Sequence, residues 1–174
     1  ARGAALCASH AYKGQPRAKL NGSGDRMKGS YLGPSYTRGE CEQQLRDAGA
    51  RFRVLDEAAV IAACARDLAE GKAVGWFQGR MEFGPRALGG RSILGDARSP
   101  TMQSILNLKV KYRESFRPFA PSVLRERVTD WFELDYDSPY MLLVADVVEP
   151  RRRAMTPEQQ ALFGIEKLNV ARSE

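Results

Sequence analysis

The sequence predicts a domain of α/β or α+β class, because helical and strand-like segments alternate along it. Two further observations support this class. Short apolar runs bounded by Gly and Lys have the length of buried strands, and hydrophobic residues make up 43 % of the 174 positions, enough to build a core. Residues 1–12 (ARGAALCASHAY) predict a small-residue helix without a cap. Residues 13–36, rich in Gly, Ser, Pro and Lys and without periodicity, predict a long loop or linker, with a domain boundary near Thr37. Residues 40–48 predict a short helix stopped by Gly49, and residues 51–55 a strand whose apolar members are Phe52, Val54 and Leu55. Asp56 is placed as an N-cap, Val60, Ile61, Cys64 and Leu68 follow at helical spacing, and Gly71 supplies the stop. Residues 73–78 (AVGWFQ) predict a buried strand. Ser99 and Pro100 open a helix over 101–110 with Met102, Ile105 and Leu106 on one face, and Pro118 and Pro121 prevent its continuation. Residues 123–132 predict a further helix, and 140–148 (YMLLVADVV) the strongest strand. A last helix follows Thr156 and Pro157.

Composition narrows the classes of function. No run of about 18 apolar residues exists and residues 1–11 lack a signal-peptide pattern, so a cytoplasmic location and no membrane span are expected. Cys7, Cys41 and Cys64 are far apart, with no CxxC pair, and read as free thiols. With one histidine, His10, no Ser-His-Asp or Cys-His grouping can form, and His10 itself reads as an ordinary structural or surface residue. Trp76, Phe77, Trp131 and Phe132 read as core, and Cys64 as part of a buried helical stripe.

The net charge of +6 and a pI near 9.4 point to an anionic partner. Its location is specific: Arg80, Arg86, Arg91, Arg98, Lys109, Lys111, Arg113 and Arg117 face only Glu82, Asp96 and Glu114 in the same stretch. In FGPRALGGRSIL, Arg86 and Arg91 follow Gly-Pro and Gly-Gly, where backbone can approach a phosphate closely and guanidinium forks can grip its oxygens. In KYRESFRPFAPS the cations alternate with Phe116, Phe119 and two prolines, a stiff scaffold of the kind that suits catalysis better than sliding along a polymer. A solvated charged face and a basic nucleic-acid-binding module are the other readings of this pattern. Glu82 reads either as a base or as a partner of Arg86.

At EFGPRALGGRSIL and NLKVKYRESFRPFAPSVL the chain resembles the C-terminal part of the NodU/CmcH carbamoyltransferases, and the likeness extends through MKGSYLGPSY and SPYMLLVADV. The resemblance implies a YrdC-like twisted mixed sheet with flanking helices over residues 38–174, incomplete at its C-terminus. Residues 1–37 would be the end of an actin-like (ASKHA) domain and the crossover from it. It further implies formation of carbamoyladenylate from carbamoyl phosphate and ATP, with magnesium accompanying the nucleotide. The group would then pass to a hydroxyl of an oligosaccharide or natural-product acceptor in the actin-like domain, whose iron ligands would lie upstream of Ala1. By motif position the resemblance assigns catalytic and anion-binding roles to Arg86, Lys111 and Arg117, and weaker nucleotide contacts to Arg91, Ser92 and Arg113. The family's THVDG-like strand with a further arginine would follow Glu174, so an inactive structural fragment is a third reading. Nucleic acid is not the expected partner.

Overall fold

The computed structural model describes residues 2–17, 25 and 27–170. Helix α1 (Arg2–Cys7) runs into a wider π turn at Ala8–Tyr12, which the amide of Lys13 closes onto the Ala8 carbonyl at 2.9 Å. Helix α2 (Arg38–Asp47) starts two residues before the predicted position because Thr37 makes a capping box: its hydroxyl accepts from the Glu40 amide while the Glu40 carboxylate accepts from the Thr37 amide. The Thr37 amide and the Thr37 hydroxyl both donate to the Glu40 carboxylate, and these bonds, the backbone one foremost, hold the Glu40 carboxyl below its usual range. Helix α3 (Glu57–Ala69) begins as predicted, with the Asp56 carboxylate accepting from the Ala59 amide at 2.8 Å, and ends at Gly71 with φ 77°.

Strand β1 (Val74–Phe77) lies within the predicted 73–78 run and pairs antiparallel with β2 (Arg91–Leu94), Phe77 opposite Arg91 and Val74 opposite Leu94. Helix α4 (Met102–Ile105) continues as a π turn at Leu106–Val110, filling the predicted 101–110 span. Met102 and Leu106 are the buried apolar side chains among the described residues, and they close over Gly95, where an added Cβ would lie 2.8 Å from Met102 Cγ. Helices α5 (Pro157–Ala161), with a Thr156–Gln159 capping box, and α6 (Ile165–Leu168) end the described chain. The architecture is mixed helix with a small antiparallel sheet, α/β in character.

Several expectations are corrected. Residues 51–55 form no strand, and 140–148 form none beyond an isolated bridge between Val147 and Phe132. The reason is the same for both: strand-like patterning becomes a strand only when a neighbour takes its amides and carbonyls. Without one, Leu142 is 76 % and Val144 98 % exposed. The predicted helix over 123–132 is a shorter 3-10 turn at Arg125–Asp130. The β1 strand is not buried, since Phe77 is 60 % exposed, and Trp76, Trp131, Phe132 and Cys64 are half-buried instead of core. Val60 and Ile61 of the α3 stripe are likewise exposed.

A segment read as linker is held tightly. The Phe83 amide donates to Ser30 O at 2.7 Å, Gly33 and Met81 exchange backbone bonds with residues 81 and 34 at 2.9 Å, and the Arg80 guanidinium donates to Gly33 O at 2.6 Å. Tyr140 reaches the same segment: its hydroxyl accepts from the Gly29 amide at 3.1 Å and donates to the Asp25 carboxylate. At Gly33 an added Cβ would meet Met81 Cβ and the Met81 carbonyl oxygen at 2.9 Å, and the oxygen is backbone that cannot rotate away. Gly33→Ala is therefore expected to destabilise the protein by about 1–3 kcal/mol, read as a lower urea midpoint at unchanged slope.

Candidate functional site

The connection from β1 to β2 folds around one carboxylate. Glu82 has a fully buried side chain, 0 % exposed, and accepts from the Leu88 amide at 3.0 and 3.1 Å, the Gly90 amide at 2.6 Å and Arg91 Nε at 3.3 Å. Arg91 spends its remaining reach on the loop itself, donating to the carbonyls of Gly84 and, at 3.4 Å, Arg86. Gly84 and Gly89 take φ of 115° and 114°, a backbone region that side chains disfavour. Gly90 is needed for space: an added Cβ would sit 2.6 Å from Tyr31 Cε1 and 3.2 Å from Glu82 Oε1. The MKGSYLG segment thus packs onto the FGPRALGG loop. The amides of Leu88 and Gly90, which glycine-rich composition leaves open to a phosphate, here hold an internal anion. Of the two readings left open for Glu82, pairing applies, and its partner is Arg91 rather than Arg86.

A second buried polar group organises the other basic loop. Asn107, 0 % exposed, donates through Nδ2 to the carbonyls of Ser115 at 2.9 Å and Arg117 at 2.8 Å, while Oδ1 accepts from Arg113 Nε at 2.6 Å. Its backbone carbonyl also accepts from the Arg113 amide at 3.0 Å. The Arg113 guanidinium lies 4.9 Å from the centroid of the Phe119 ring. On the surface, Arg117 Nε bonds Glu114 Oε2 at 2.7 Å, and this bond leads the lowering of the Glu114 carboxyl below its usual range.

Beside these loops lies an open cleft of about 930 Å³. Its walls are the proline-rich run Pro118–Pro121 and the unpaired stretch around Met141, Leu143 and Val144, with Phe132 and Tyr136 between them. They are apolar apart from a few groups, among them Arg86, Ser138 and the ion-paired Arg125 and Asp137. The candidate residues therefore divide. Arg86 lines the cleft, is exposed, and has no salt-bridge partner among the described residues. Arg91 is linked to it through the backbone but is committed to Glu82. Arg113 and Arg117 are drawn together by Asn107, behind the Phe119 wall. Lys111 is exposed at the end of the π turn, also without a described ion-pair partner, and Ser92 sits in β2 opposite Trp76. Neither Lys111, Arg117 nor Ser92 lines the cleft.

Sequence reading passed over Asn107 and left Glu82 undecided, although each carried a signal. Asn107 interrupts an apolar stripe between Leu106 and Leu108, and Glu82 stands between Met81 and Phe83, positions where a polar group must find partners once buried. His10 Nδ1 bonds the Gln15 carbonyl oxygen at 2.8 Å, a local structural contact. No group of three or more His, Cys, Asp or Glu that could hold a metal occurs among the described residues. Nor is any helix among them long and apolar enough to cross a membrane.

Comparison with known proteins places these loops in a family context. Residues 65–160 match the family described as carbamoyltransferase C-terminus. An uncharacterized protein of Synechocystis sp. is 57 % identical over 174 residues, 99 % of this chain and 28 % of that protein. The nodulation protein NolO of Bradyrhizobium diazoefficiens is 40 % identical over 131 residues, 73 % of this chain and 24 % of that protein. The 3'-hydroxymethylcephem-O-carbamoyltransferase of Streptomyces clavuligerus is 45 % identical over 95 residues, 55 % of this chain and 17 % of the enzyme. The chain thus spans between 17 % and 28 % of the length of these three relatives.

Proposed function

This chain belongs to the carbamoyltransferase C-terminus family, and from that premise we propose that it is the donor-activating part of an O-carbamoyltransferase, acting in the cytoplasm. In this reading it takes the YrdC-like role, binding carbamoyl phosphate and ATP and forming carbamoyladenylate. A neighbouring actin-like domain, to which residues 1–37 would connect and which would hold an iron, passes the carbamoyl group to a hydroxyl. The Streptomyces relative's name specifies a hydroxymethylcephem, and the NolO relative's name specifies nodulation. An acceptor hydroxyl on a natural product or an oligosaccharide is proposed on those grounds.

The observation that carries the reading is Arg86: an ion-pair-free guanidinium held at an apolar cleft by a loop whose own amides and second arginine are already occupied. A permanently charged fork rising from a held backbone neutralises phosphate oxygens, and the apolar wall beside it strengthens that attraction. Lys111 would supply a mobile second charge to the triphosphate. Arg113, Arg117, Arg91 and Ser92 would act from behind, through the loops that they shape. Magnesium would enter on the nucleotide, since the cleft carboxylate Asp137 is engaged by Arg125.

The competing nucleic-acid reading requires an extended stripe of available cations. Against it, Arg38, Arg91, Arg98, Arg117, Arg125 and Arg152 are each bonded to a carboxylate. Calorimetric titration of carbamoyl phosphate and then ATP, into the protein and its Lys111→Ala variant at two salt concentrations, tests the proposal. Saturable binding is expected, with ATP affinity reduced about tenfold in the variant, the effect of one lost charge contact. Failure of a folded protein to bind either ligand would favour the inactive-fragment reading, and steeply salt-dependent oligonucleotide binding in its place would favour the polymer reading.

A further inference from the structure

We propose that Glu82 is a positioning residue for anion binding, acting through Arg91 to set the backbone from which Arg86 reaches the cleft. The proposal rests on the reading of Arg86 as an anion-binding residue. A carboxylate buried in a basic loop would ordinarily weaken such a site, because its charge opposes that of an incoming phosphate. Here the charge is consumed internally: two backbone amides and Arg91 Nε all point at it, and it has no exposure to solvent. The same guanidinium that neutralises Glu82 donates to the carbonyls of Gly84 and Arg86, so the chain Glu82, Arg91, Arg86 is continuous in hydrogen bonds. Glu82 therefore fills the amide pocket that a free phosphate would otherwise enter. The loop is closed before ligand arrives, and Arg86 is left as its outward cation. An incoming anion is directed to the cleft instead of into the loop.

Glutamine at position 82 would keep the size but offer one acceptor oxygen to three donors, and its own NH2 would face one of them. The Arg91 clamp would loosen and Arg86 would lose its fixed origin. The deciding experiment is a double-mutant cycle read by calorimetric titration of carbamoyl phosphate into the intact protein, comparing wild type, Glu82→Gln, Arg86→Ala and the double variant. Melting temperature is recorded for each. Glu82→Gln is expected to weaken the dissociation constant about tenfold at unchanged stoichiometry, Arg86→Ala by at least as much, and the double variant no further than Arg86→Ala alone.

A purely structural glutamate would lower the melting temperature or the stoichiometry and leave the dissociation constant of the folded fraction unchanged. That result, or full additivity in the double variant, overturns the role of Glu82 while leaving the anion site intact. Wild-type affinity in Arg86→Ala, or no binding by the wild type, overturns both the anion-site reading and the role of Glu82. Should Glu82→Gln fail to fold, Arg91→Lys replaces it in the cycle. It retains the neutralising charge and lacks the fork to Gly84 and Arg86, and the same outcomes decide.

Discussion

Asn107→Ala is expected to destabilise the protein by about 3 kcal/mol, the sum of three lost side-chain hydrogen bonds at about 1 kcal/mol each. The amide has no solvent exposure, so water cannot replace what it supplies to the Ser115 and Arg117 carbonyls and to Arg113 Nε. Asn107→Asp separates the contributions. It keeps the acceptor for Arg113 but turns a carboxylate oxygen toward two carbonyl oxygens, so it should be at least as damaging as alanine. Urea unfolding of both variants checks this. A tolerated aspartate would mean that the bond to Arg113 alone holds the loop, and that the two carbonyl contacts contribute little.

The second large effect is on chemistry. If the chain activates a carbamoyl donor as proposed, Arg86→Ala is expected to reduce kcat/KM for that activation about 10²- to 10³-fold, the usual cost of removing one charge contact from a transition state. Its stability should change by no more than about 0.5 kcal/mol, because the side chain is exposed and its guanidinium forms no salt bridge among the described residues. Arg86→Lys should recover only part of the loss, since an ammonium restores the charge but not the planar two-point grip on phosphate. Steady-state kinetics of both variants, with melting temperatures alongside, make the comparison. An Arg86→Ala enzyme with near-normal kcat/KM would remove Arg86 from the site and shift attention to Lys111.

What could be read from the sequence alone was whatever depends on neighbours in the chain. Helices α3 and α5 announce themselves through Asp56 and Thr156, because a cap is a bond between residues three apart, whereas Thr37, read only as a boundary, caps α2 two residues before its predicted start. The 3.6-residue period of Met102, Ile105 and Leu106 located the small core, and the short apolar run 73–78 located β1. The motifs around Arg86 and Lys111 were enough to indicate the family. Strand β2 was missed because RSIL mixes charge with apolar residues and becomes a strand only by pairing with β1. The opposite error, a strand at 140–148, has the same origin: its alternation and apolarity are real, but beyond the bridge at Phe132, where Glu133 and Trp131 bond Asp146 and Val148, no neighbouring strand among the described residues takes its hydrogen bonds. Tertiary structure alone decided which cations remain available. Arg86, Arg91, Arg113 and Arg117 share one basic stretch of sequence, yet Glu82, Asn107 and Glu114 occupy three of them and leave Arg86 facing the cleft. Local patterning sets how many charges a loop carries, whereas the burial of one carboxylate and one amide, fixed by contacts along and across the fold, sets where those charges can act.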